Sequence, residues 1–151
     1  MFTKTQLAAA LLIGMCGIFS TFGNEPPPAE QYRELLQTYN ATAGNWRKAE
    51  TDLQRKEVVE QLDTLAPQFL DVTDRHADDP VALSSLRQAV QTVLTVDSLA
   101  MHTWEVNRAE FPTGSQGDSA ARIVKLLMRD HLTSDKLGPI CDRMRWGVRR
   151  E

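Results

Sequence analysis

Three histidines, two cysteines and a surplus of carboxylates are the residues here that could do chemistry, and their spacing decides what kind. His76 precedes Asp78 and Asp79, an order that could set an imidazole beside carboxylates for metal binding. The competing reading is a solvated turn in which Asp79 caps the next helix. His102 stands three residues before Glu105, the spacing of half a di-metal bundle motif in reversed order. Such sites use Glu-x-x-His twice with further carboxylates, and neither copy occurs. His131 follows Asp130 ahead of a turn, where the dipole of a helix C-terminus favours an imidazole without any function. Cys16 lies in the apolar N-terminal run, which leaves Cys141 alone, with no Cys-x-x-Cys for redox exchange or zinc. Its ordinary role is that of a small semi-apolar residue in a helix interface.

The sequence has no Gly-x-Ser-x-Gly elbow, phosphate-cradling glycine loop or dinucleotide fingerprint, and Gly114-Ser-Gln-Gly117 follows Phe-Pro rather than a strand. No residue is therefore assigned as catalytic, cofactor-binding or metal-ligating, and a non-enzyme without cofactors is expected. A histidine-and-carboxylate metal bundle is the competing function. Trp46, Trp104 and Trp146 either line a groove or anchor a core with one edge in water. The four arginines in Arg143-Met-Arg145-Trp-Gly-Val-Arg149-Arg150 form a solvated tail or a docking segment for an acidic partner. Asn40-Ala-Thr42 fits the N-glycosylation pattern but falls inside an expected helix.

A chain of 151 residues has room for one core, so these residues must share one scaffold. With 17 basic against 20 acidic residues the net charge is −3, the wrong sign for a surface that neutralises phosphates, and nucleic-acid binding is not expected. Lys4 followed by the uncharged run Leu7 to Phe22 reads as an export signal, 1–23, cleaved before Asn24. The run is shorter than the ~20 residues that span a bilayer, so no stable membrane insertion is expected after cleavage; an uncleaved N-terminal anchor is the alternative. Met15 ahead of Cys16 argues against lipid attachment there. The expected location is periplasmic or extracellular.

The remainder reads as helices: a Pro-rich lead, 24–29, a helical domain, 30–146, and an Arg-rich tail, 147–151. Pro28 can open a helix because its missing N–H has no intrahelical partner at that position. Tyr32, Leu35, Leu36, Tyr39, Ala43 and Trp46 form a one-sided stripe that should run to about Glu50, with Leu53 a possible extension. A second stripe from Val58 to Thr73 must divide near Asp63-Thr64, because Pro67 cannot sit deep in a continuous helix. Thr64 is the expected cap, and the short helix should end near His76.

Asp79-Pro80 then caps and opens a helix with Leu83, Leu86, Val90, Val93 and Leu94 inside, Met101 and Trp104 near the same phase, and Asp97-Ser98 as a break point. Phe111 to Asp118 reads as a loop. Asp118 or Ser119 should cap a helix whose Ala120, Ile123, Val124, Leu127 and Met128 face inward. Ser134 to Pro139 is a turn, Pro139 opens a last helix carrying Ile140, Cys141 and Met144, and Leu137 packs just ahead of that helix. No run alternates long enough for a strand. The expected fold is all-α, five to six amphipathic helices packed as antiparallel hairpins, either a bundle or tetratricopeptide-like at the Asp78-Asp79-Pro80 joint, although no second copy recurs at that repeat's period.

The segment from Ala121-Arg-Ile-Val through Arg129-Asp-His and Ser134-Asp-Lys-Leu-Gly-Pro-Ile-Cys-Asp-Arg-Met144, with Leu65-Ala-Pro67-Gln-Phe-Leu70 and Asp78-Asp79-Pro80 before it, resembles the helical region ahead of the thioredoxin-like domain in certain exported bacterial redoxin proteins. The resemblance spans about 30–146 and implies an envelope location and an accessory helical role beside a thiol-disulfide reductase. The paired redox cysteines of those proteins belong to the downstream domain. No position here corresponds to them, so no catalytic residue transfers. The expectation is a non-catalytic module with a protein partner. A shortened remnant of a redoxin protein is the alternative.

Overall fold

The computed structural model describes residues 25–103, 114–131, 134 and 137–148. The expected export segment 1–23 with Cys16, Trp104 and Glu105, the loop residues Phe111 to Thr113, the side chains of His102 and Trp146, and the arginines beyond Val148 lie outside the described residues. Six helices follow one another: α1 Pro28–Trp46, α2 Asp52–Asp63, α3 Leu65–Arg75, α4 Pro80–Thr103, α5 Gly114–Asp130 and α6 Gly138–Val148. There is no strand among the described residues. The fold is all-α.

Pro28 opens α1 as expected, but the helix ends at Trp46 and not near Glu50. The chain turns there through Lys48 N–H donating to the Asn45 carbonyl at 3.0 Å. Thr51 then starts α2 with a reciprocal capping box: Gln54 N–H donates to Thr51 Oγ1 at 3.3 Å, and Thr51 N–H to Gln54 Oε1 at 3.2 Å. This box outcompetes continuation of α1. Leu53 accordingly belongs to the first turn of α2 and is 68% exposed.

The α2–α3 division falls at Thr64, and Pro67 is the third residue of α3, where its absent N–H costs no helical hydrogen bond. Thr64 does not cap with its side chain; its hydroxyl donates back to the Gln61 carbonyl at 2.7 Å, and its backbone stays helical. At the next joint Asp79 Oδ1 accepts from Val81 N–H at 2.8 Å, and Pro80 begins α4. The expected break at Asp97-Ser98 is absent. Asp97 is exposed while Val96 and Ala100 are buried, so its carboxylate stays in water. Met101, expected on the inner phase, is 41% exposed.

α3 and α4 form the antiparallel centre. Ser85 Oγ donates to the Phe69 carbonyl at 2.8 Å and Thr73 Oγ1 to the Ala82 carbonyl at 3.2 Å, so positions rising along one helix meet positions falling along the other. Fully buried Ala82, Ser85 and Ala89 let the two backbones approach. α1 and α2 pack on this pair, α5 lies against both α3 and α4, and α6 rests on α4. One core results, with Leu62, Phe69, Leu70, Leu86, Leu126 and Ile140 fully enclosed and Tyr32, Tyr39 and Trp46 packed at its margin. Trp46 is thus a core anchor. Tyr39 is tied to α4 through its hydroxyl, 3.0 Å from Thr95 Oγ1. Thr95 spends its only proton on the Gln91 carbonyl at 2.8 Å, so Tyr39 is the donor.

α5 departs furthest from the sequence reading. It begins at Gly114, which places Asp118 and Ser119 inside the helix instead of at its cap. Ser119, Ile123, Leu126 and Leu127 face the core, while Ala120, Val124 and Met128, expected inside, are exposed. The apolar arc of this helix is wider than its contact with the core; the larger Ile123, Leu126 and Leu127 go in, and in that orientation Arg122 and Arg129 reach carboxylates on α3. In α6, Ile140 is buried and Met144 half-buried, but Cys141 is exposed and not in a helix interface.

Candidate functional site

α1 and α3 leave an open groove of about 320 Å³ between them. Leu35 and Val72 form its apolar floor; Gln31, Glu34 and Thr38 from α1 and Gln68, Asp71 and Arg75 from α3 form its walls. Helical spacing makes the rows: positions three and four apart stand on one face of each helix. The rim is partly held in place. Gln68 Nε2 donates to the Thr64 carbonyl at 3.0 Å, Thr38 Oγ1 to the Glu34 carbonyl at 3.0 Å, and Arg75 pairs with Glu25 just ahead of α1.

Asp71 also begins a chain of charges linking α3 to α5. Arg122 reaches Asp71 at 2.7 Å and Asp74 at 3.5 Å; Arg129 reaches Asp74 at 2.8 Å and Asp130 at 2.6 Å. The order of these contacts shows α5 running alongside α3 in the same direction. The hydrogen bond from Arg129 holds the Asp74 carboxyl below its usual range, with the charges of both arginines adding to the effect. Asp130 is lowered by the same guanidinium and by the neighbouring His131, and Arg129 is itself driven upward by Asp130 and Asp74. These groups are at or near the surface, so the network orients two helices more than it stabilises them.

His76 and His131 occupy equivalent places, just past the C-termini of α3 and α5, at the same end of the bundle. Each has an enclosed Nε2 with no hydrogen-bond partner. Among the described residues no group of three or more histidines, cysteines, aspartates and glutamates is placed to hold a metal. Asp79 spends its carboxylate on the α4 cap, but the half-buried His76 ring with its enclosed Nε2 is not the solvated side chain that the turn reading expects. In the glycosylation tripeptide Asn40 is exposed, while Thr42 is 8% exposed and inside α1.

Comparison with protein-family models, with curated proteins and with solved structures finds no match for this chain. Among the described residues no helix is long and apolar enough to cross a membrane.

Neither the groove nor the charge chain was singled out in the sequence. The signals were present as spacings: Asp71 and Asp74 three apart on one helix, Arg122 and Arg129 seven apart on another. What was not readable is that these two faces meet. Chemically, the groove offers amide, carboxylate and guanidinium groups around an apolar strip, an arrangement suited to recognition.

Proposed function

We propose that the chain is an exported, non-catalytic helical module that holds a protein partner, and that the α1–α3 groove is the surface it presents. The groove carries the reading. Small-molecule sites enclose most of their ligand in apolar walls, whereas this one is open, with Leu35 and Val72 beneath a rim of hydrogen-bonding and charged side chains. An apolar strip with a polar rim is the anatomy of a non-obligate protein contact. The occupant it suits is a protein segment that lays one apolar edge on the floor and offers both a cation to Glu34 and an acceptor that takes the place of Glu25 at Arg75.

Export is supported by Lys4 and the uncharged run behind it. A thiol-disulfide protein of the envelope as partner is supported by the resemblance of residues 121–144, with 65–70 and 78–80, to redoxin accessory regions. The test is affinity capture from envelope extract with the chain as bait, beside the rim variants Glu34→Arg and Arg75→Glu, both at exposed positions. One protein recovered reproducibly with the natural chain and lost with both variants is the expected result. Equal recovery with the variants, or no recovery at all, refutes the reading.

A further inference from the structure

α5 turns outward a second apolar face that lies apart from both the core and the charge chain. Gly117, Ala121, Val124 and Met128 are exposed, Val124 at 54% and Met128 at 60%. They recur at intervals of four, three and four, the alternating seam positions of a heptad. Core-facing Ser119, Ile123 and Leu126 stand on the opposite side of the helix, so the seam is additional to the stripe that folds the chain.

We propose that a second copy of this chain closes the seam, with the two α5 helices antiparallel about a two-fold axis passing between residues 122 and 123. Side-chain size argues for that direction. Antiparallel pairing sets Gly117 opposite the second copy's Met128, and Ala121 opposite its Val124, so every layer joins a small residue to a large one. A Cβ at Gly117 would meet nothing within 4 Å, which leaves the space the opposing methionine needs. Parallel pairing would put glycine on glycine at one end and methionine on methionine at the other, leaving a void and a bulge.

Charge argues the same way. The seam is flanked on one side by Asp118 and Lys125, both exposed and seven residues apart. In an antiparallel pair this flank faces itself, bringing Asp118 of each copy to Lys125 of the other, twice per dimer. The contact is isologous and therefore closed. Four layers at ~1.5 Å per residue make a seam only about 16 Å long, below the standard size of a permanent interface. The dimer is weak and its population follows concentration. The α1–α3 groove remains open in it, so this pairing stands independently of the groove reading.

Sedimentation velocity of the full chain over roughly a hundredfold range of concentration tests the proposal. The expected result is a mass rising from one chain towards two, held at one chain by Met128→Glu. Asp118→Lys sets like charges across the seam and should raise the dissociation constant by about tenfold, from two exposed pairs at ordinary surface strength. The double variant Asp118→Lys with Lys125→Asp should restore it. All three change exposed positions, so far-UV spectra and melting temperatures should stay close to those of the natural chain. A natural chain monomeric throughout, a dimer indifferent to Met128→Glu, or no rescue by the charge exchange would each overturn the proposal.

Discussion

Replacing Phe69 by alanine should remove a large part of the stability of the domain. The ring is fully enclosed in the centre of α3 and meets the edge of Tyr32, ring centroids 6.1 Å apart at 63°. Deleting a buried phenylalanine costs about 3–5 kcal/mol in lost transfer energy and residual cavity, and loss of the edge contact with Tyr32 places this site in the upper half of that range. The backbone contribution survives, because the Phe69 carbonyl still accepts from Ser85. A loss of about 4 kcal/mol is thus expected against a total of roughly 5–15 kcal/mol for a domain of this kind. Equilibrium urea unfolding followed by far-UV circular dichroism and tryptophan fluorescence measures it, with Tyr32→Ala as comparison. Tyr32 is only half-buried, so its truncation should cost clearly less. A Phe69→Ala loss below about 1 kcal/mol, outside the range for a buried ring, would refute the placement of α3 at the centre.

His131→Leu should stabilise the fold by about 1 kcal/mol in the same assay, because an enclosed Nε2 without a partner carries a desolvation cost that an apolar side chain of similar size does not; a loss instead would show that Nε2 has a partner. Gly44→Ala, inside α1 with open space around the new methyl, should add about 0.5–1 kcal/mol, and an unchanged urea midpoint would contradict that. Acid should weaken the α3–α5 contact in a defined window. Asp74 and Asp130 titrate below the usual 3.8 when folded, so the unfolded chain binds more protons there and stability falls as pH drops through and below that value. Melting temperatures taken from about pH 6 to about pH 2 should show a small decline that is reduced in Asp74→Asn, and an equal decline in that variant would exclude Asp74 as a contributor.

Helix identity was legible where local chemistry is decisive. Pro28, Pro67 and Asp79-Pro80 each act within one turn of chain, and each lies where its missing N–H or capping oxygen requires. The Thr51-Gln54 capping box is equally local, but the apolar phase of α1 continues past Trp46 and masks the boundary that the box imposes. Rotation of α5 was not legible from its own residues. Its apolar arc admits several inward faces, and the choice is settled only against α3 and α4, where Asp71 and Asp74, about fifty residues earlier in the chain, also meet Arg122 and Arg129. The groove is a further step away, since it exists only once α1 and α3 have been set side by side by contacts such as Tyr32 with Phe69, with Tyr39 fixing α1 to α4 through Thr95.

The seam on α5 and the groove between α1 and α3 share no residue, and this permits a separation of their effects. A dimer through α5 carries two grooves on one body, so a partner that is itself multivalent, or fixed on beads, gains from a second engagement made at high effective concentration. Met128→Glu should then lower capture on beads although residue 128 lies outside the groove, and it should leave the affinity of one chain for one partner molecule in solution unchanged. Arg75→Glu should do the reverse, weakening the one-to-one contact while sedimentation still shows the dimer. Measuring both variants by both methods decides the matter. If Met128→Glu weakens the one-to-one affinity as well, the partner itself sits on α5, and the division of the molecule into a pairing face and a binding face is wrong.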